Sequence, residues 1–98
     1  MFLLPGENNF SEVREAIHVV MEGLQEKKLD DLLDLAETAM TLSLMPTAEN
    51  CRIILKNLSL IQEQGIEFSA IQQEKLNFAC KEVDRMLKAN NMYRAGKI

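Results

Sequence analysis

Apolar residues recur along most of this chain at intervals of three and four, the spacing that lines one side of an α-helix. The densest stretch is Thr47 to Gln64, TAENCRIILKNLSLIQEQ. At about 100° per residue, Cys51, Ile54, Leu55, Leu58 and Ile61 share one face. Ile53 and Leu60, seven apart, form a second stripe on the far side. Together the two cover roughly 220° of the wheel, far more than a surface helix needs. That predicts a helix with apolar neighbours on two sides.

Three further helices follow from the same pattern. Phe10, Val13, Ile17, Val20 and Leu24 make a narrow stripe whose phase is lost after Leu24, which predicts a helix over 10–26. Asn9 with Glu12 has capping-box spacing at its start. A break falls near Glu26–Leu29 with no Gly or Pro to mark it. A second helix is predicted over 30–45, with Leu32, Leu33, Leu35, Ala36, Ala39, Met40, Leu42 and Leu44 on one broad side. Pro46 stops it, because the residue before a proline is pushed out of helical angles. Thr47 then caps the third helix, 47–64, and Gly65 ends it. Ser69 with Gln72 is a capping box opening a fourth helix over 69–92. Residues 1–9 read as an extended lead-in and 94–98 as a frayed tail. The connections are short, so the expected fold is a single all-α domain, a small antiparallel four-helix bundle.

Composition agrees. Apolar residues make up 47% and charged residues 27%, a balance that supports a packed core rather than disorder. Glycine and proline are few and helix formers dominate. No window nears the ~20 apolar residues of a membrane span, and Met1–Leu4 lacks the basic flank of a secretory leader. A cytoplasmic setting is expected.

Charge changes the picture of partners. The net charge is −4, but residues 1–46 carry three basic and nine acidic side chains, whereas 47–98 carry eight basic and six acidic. An acidic chain is a poor default binder of nucleic acid, whose affinity comes largely from phosphate contacts. The asymmetry also lets two copies attract each other, acidic half to basic half.

Chemistry-bearing patterns are sparse. Cys51 and Cys80 lie at nearly equal distances either side of Gly65, so a helical hairpin brings them to one level. Without a C-x-x-C motif they read first as small buried hydrophobes and second as a redox pair. Glu15 and His18 have the Glu-x-x-His spacing of di-iron bundles, yet both fall off the apolar stripe, and there is one His in the chain. A Cys or Ser nucleophile would need that His as its base, and no phosphate-binding glycine loop is present. No catalytic residue, cofactor or metal is expected. Asp30, Asp31, Asp34 and Glu37 form an acidic row on the second helix, a solvated face or a docking surface for a basic partner.

Leu60 to Lys75, LIQEQGIEFSAIQQEK, resembles the turn and second helix of helix-turn-helix proteins through Gly65, Ile66 and Ile71. The resemblance implies DNA recognition by Ser69, Gln72, Gln73 and Lys75. It departs from the pattern at Ile61, where a small residue is usual, at Gln64, where an apolar one is, and at Glu74, which should face the core.

The remaining feature is surplus apolar surface. Ile71, Phe78 and Met92 recur on the polar side of the fourth helix, as Ile53 and Leu60 do on the third. The expected function is therefore binding of another protein, or of a second copy as a homodimer, through these five residues. Regulators, inhibitors, immunity factors and secretion chaperones are the matching types, with DNA regulation as the alternative.

Overall fold

The computed structural model describes the backbone of residues 7–95 and the side chains of residues 10–89. Four helices follow in order: α1 Glu7–Glu26, α2 Asp30–Leu42, α3 Ala48–Glu63 and α4 Ala70–Ala95. Each lies beside two others, in the cycle α1–α2–α3–α4–α1, and no Cα atoms of the diagonal pairs come within 8 Å among the described residues. With connections of three to six residues, this is an antiparallel up-down-up-down bundle. The molecule is elongated, 47 × 21 × 21 Å.

The interior is built from one stripe of each helix. Phe10, Val13, Ile17, Val20 and Leu24 of α1 meet Cys51, Ile54, Leu58 and Ile61 of α3 and Leu76, Ala79, Val83, Met86 and Leu87 of α4. From α2 only Ala36 and Ala39 are fully buried, while Leu32, Leu33, Leu35, Met40 and Leu42 are half-buried against the same core. Two small residues let the α2 backbone lie close, and its leucines spread over the sides of the neighbouring helices.

One side-chain hydrogen bond spans each adjacent pair and pins the register. Arg14 donates Nη1 to the Ser43 carbonyl just after α2 at 3.1 Å. Asn57 Nδ2 donates to the Leu35 carbonyl on α2 at 3.2 Å. Gln62 of α3 donates to Asn77 Oδ1 of α4 at 2.7 Å, and Gln72 of α4 donates to Glu26 of α1 at 3.3 Å.

The helix ends show which boundaries were readable. Two of the three predicted caps form, those of α3 and α4; Asn9, predicted to cap the first helix with Glu12, lies inside α1, which begins two residues earlier. Thr47 Oγ1 accepts the Asn50 N–H at 3.1 Å. Ser69 Oγ accepts the Gln72 N–H at 3.3 Å while Gln72 Oε1 accepts the Ser69 N–H at 3.1 Å, a complete capping box. The outer limits differ from expectation. Helix α1 starts at Glu7, so residues 7–9 are helical rather than an extended lead-in; residues 1–6 lie outside the described part. Helix α4 includes Arg94 and Ala95, which were expected in a frayed tail. An apolar period marks only the part of a helix that is packed, whereas propensity and the backbone ladder carry it a turn further. Helix α2 instead stops at Leu42, three residues short of the predicted end. There Ser43 Oγ donates to the Met40 carbonyl at 2.6 Å, and the Leu44 and Met45 N–H groups turn back to Thr41 and Leu42. The chain must bend early because Pro46 is itself buried.

The unmarked break between α1 and α2 is a Schellman turn made without glycine. The Leu29 N–H bonds the Leu24 carbonyl at 3.0 Å and the Lys28 N–H bonds the Gln25 carbonyl at 3.1 Å, with Lys28 in the left-handed region at φ 58°. A side chain there costs about 1 kcal/mol that glycine avoids. Lys28→Gly should therefore stabilise the protein by about 0.5–1 kcal/mol, read as a rise in the urea midpoint at unchanged m-value.

Candidate functional site

The residues predicted to form one partner surface are placed on two separate faces. On α3, Asn57 points to α2 and Gln62 to α4, and the core stripe lies between them. Ile53 and Leu60 fall on the remaining, outer arc, 40% and 36% exposed. The neighbouring helices leave more than a third of each open to solvent. Two more exposed apolar residues, Leu44 at 71% and Met45 at 50%, lie in the α2–α3 turn. That turn is tied to the first turn of α3 by Asn50, whose Nδ2 donates to the Met45 carbonyl at 2.7 Å. The outer arc of α3 carries Glu49, Arg52, Lys56 and Glu63, all exposed.

The second face lies across the bundle, between α1 and α4. Here Phe78 is half-buried and packs against the core. With Glu12, Glu15, Glu74 and Lys75 it lines a groove of about 320 Å³. Ile71, one heptad earlier, is 53% exposed. The side chain of Met92, the third member of this predicted line, lies outside the described residues. Phe78 is thus a packing residue as well as a surface one, and its replacement by a charge would disturb the fold along with any docking.

The acidic row of α2 is where the helical pattern places it. Asp30, Asp31, Asp34 and Glu37 are all exposed, and the last two border a shallow groove of about 330 Å³ with Thr38, Thr41 and Leu42. Asp30 and Asp31 lie in the first turn of α2, where carboxylates favour the helix dipole, and no side chain caps that end.

The residues of the helix-turn-helix resemblance are engaged within the fold. Gln72 uses its oxygen in the capping box and its nitrogen on Glu26. Gln73 donates to Asn77 Oδ1 at 3.1 Å. Lys75 borders the groove with three carboxylates. The connector between α3 and α4 is six residues, longer than the three or four of that motif, and the two helices pack side by side in a bundle. Two cations farther along α4 are paired: Arg85 with Glu82 at 2.6 Å and Lys88 with Asp84 at 3.0 Å.

No protein-family model, curated protein or solved structure matches this chain.

Glu15 and His18 lie on the exposed side of α1, and His18 Nε2 stands 3.8 Å from Glu22 Oε2 on the next turn. Among the described residues no helix is long and apolar enough to cross a membrane, and no group of His, Cys, Asp or Glu is arranged to hold a metal ion. The two thiols are free. Cys51 is fully buried and Cys80 half-buried. Burial pushes both thiols up, from 9.0 to about 11, because the thiolate loses its hydration. This is the opposite of the depressed value a reactive cysteine needs.

The consequence for stability has a definite sign. The folded state keeps the Cys51 proton above the pH at which the unfolded chain releases it, so the contribution is whole below about pH 9 and is lost as pH rises to about 11. About 2–3 kcal/mol should disappear across that window for this one buried thiol. Urea melts of wild type and Cys51→Ala at pH 8, 9, 10 and 11 test it: the variant starts less stable but should lose less on the way up. Equal slopes would show that burial does not hold the thiol protonated.

Proposed function

We propose that this protein is a protein-interaction module of the regulator or inhibitor kind, which docks through the outer face of α3 and the adjoining α2–α3 turn. One observation carries the reading. Leu44, Met45, Ile53 and Leu60 present large apolar side chains to solvent, although the bundle closes its core without them. Isolated exposed apolar residues are ordinary, but Ile53 and Leu60 recur on one helix face and Leu44 and Met45 stand together in the turn before it, and grouped apolar residues of this kind mark contact surfaces. Met45 is unbranched and adapts its shape to a partner. The two free cysteines suit a reducing, cytoplasmic setting. Electrostatics would add steering: the exposed acids of α2 favour approach of a basic surface.

Site-specific photo-crosslinking in the living cell tests the reading. A benzophenone side chain placed at Ile53 should crosslink to protein, whether to a second copy or to another chain, while the same group at the exposed Gln25 of α1 should not. Absence of any protein adduct at Ile53 would remove the outer face of α3 as a docking surface.

A further inference from the structure

Helix α2 is held in the bundle differently from the other three. Each of those buries large side chains completely, Ile17 of α1, Leu58 of α3 and Leu76 of α4 among them, whereas α2 buries only Ala36 and Ala39. Its leucines are half-buried. With 13 residues it is also the shortest helix, of a length that is marginal in water by itself. No side chain caps its N-terminus, where Leu29 stands, whereas Thr47 and Ser69 cap α3 and α4. The turn before it keeps Lys28 at φ 58°. Its own charges oppose it as well. Asp30, Asp31, Asp34 and Glu37 are its only charged residues, and among the described residues none of them is in an ion pair. Asp34 follows Asp30 by four and Asp31 by three, and Glu37 follows it by three, spacings at which like charges destabilise a helix. The helix dipole offsets this only for the two acids of the first turn.

We propose that α2 is a gate: it unfolds as a unit while α1, α3 and α4 stay folded, and the repulsion within its acidic row sets how often it opens. The cyclic packing makes this possible. Helix α4 lies beside both α1 and α3, so these three remain joined when α2 leaves. Helices α1 and α3 are a diagonal pair, so what opens between them is a cleft about 20 Å long, the length of α2. The hydrogen bonds given up are those from Asn57 to the Leu35 carbonyl and from Arg14 to the Ser43 carbonyl. Ile54 and Ile61 are fully buried and lie on the wheel of α3 between Leu58 and Asn57, the residue bonded to α2. They are the core side chains of α3 that the opening uncovers. Elements that move in regulation are drawn from the least stable parts of a domain, and α2 is that part here.

Native-state amide hydrogen exchange of the full chain, followed residue by residue at neutral pH, tests the gate. The amides of residues 34–42, each compared with its unfolded rate, should exchange at least about thirtyfold faster than the slowest amides of α4. Val83→Ala separates local from global opening. Val83 is fully buried on α4, the helix diagonal to α2. Losing two of its carbons should speed the slowest α4 amides by about tenfold or more, because they exchange through global unfolding. The α2 amides should keep their wild-type rates. Asp34→Lys, at an exposed position, turns three repulsions into three attractions and should slow exchange in α2 by about tenfold. If the wild-type α2 amides are as slow as those of α4, or if Val83→Ala speeds both helices equally, α2 opens only with the whole domain and the gate is overturned. If Asp34→Lys leaves exchange in α2 at the wild-type rate, the acidic row does not set the opening, and that part of the proposal fails.

Discussion

Leu58→Asp should prevent folding at neutral pH, whereas Leu60→Asp, two residues further along the same helix, should leave the protein folded, with a melting temperature about 5–10 °C below wild type. Leu58 has no exposed surface and sits in the core between stripes of α1 and α4. Replacing it removes about 2–3 kcal/mol of apolar burial and leaves an uncompensated charge in the interior, which costs several kcal/mol more. A domain of this size has about 5–15 kcal/mol of stability in all. Leu60 is 36% exposed on the outer arc, so aspartate there reaches water and the cost is the covered part of the leucine, about 1 kcal/mol, with a smaller loss of helix propensity. Far-UV circular dichroism at 25 °C separates the two outcomes. A folded Leu58→Asp, or an unfolded Leu60→Asp, would mean that the two stripes of α3 are assigned the wrong way round.

Gly23→Leu is expected to lower stability by about 3 kcal/mol, or about 12 °C or more in melting temperature. Gly23 is a buried residue of α1 against which Phe68 of the α3–α4 connector and Gln72 of the first turn of α4 lie. A Cβ there would stand 2.8 Å from Gln72 Cδ and Oε1 and 3.0 Å from the Phe68 ring. Gln72 is not free to move aside, since it closes the capping box with Ser69 and bonds Glu26. Gly23→Ala pits about 1 kcal/mol of helix propensity against about 1 kcal/mol for the disturbed cap, so its net effect should be small. Leucine brings three further carbons into a space that does not hold the first, and must push α4 away from α1. Thermal melts of the pair give the comparison. If leucine is tolerated as well as alanine, the close crossing is not what sets the α1–α4 register.

Much of the fold was legible because local chemistry and hydrophobic period agree. Thr47 and Ser69 cap where their spacing to Asn50 and Gln72 says they should, since a cap involves only residues of one turn. The stripes of α1, α3 and the buried part of α4 follow from a period of 3.6 and a core on one side. Less legible were the ends of the helices that no packing marks, and the Lys28 turn, where tertiary packing of α1 against α2 holds a lysine in a conformation that a glycine would have announced. Gly23 carried no local signal at all, because its role lies in a contact with residues almost fifty positions away. The candidate site shows the same limit. Ile71 and Phe78 are nearly equivalent on a helical wheel, yet Ile71 is exposed and Phe78 is half-buried beside Glu12 and Glu15, a difference that the period of one helix does not report.

By itself the sequence determined that this chain makes four amphipathic helices, that α3 is apolar on two sides, and that more apolar surface is presented than one core requires. Only the tertiary structure decided which of the two sides of α3 is core. Periodicity reports the angle between apolar residues on a helix, not what stands opposite them. Asn57 and Gln62 place α2 and α4, the face they bracket closes around Leu58, and Ile53 and Leu60 are left to solvent because a bundle packed in a cycle gives each helix two neighbours and no third.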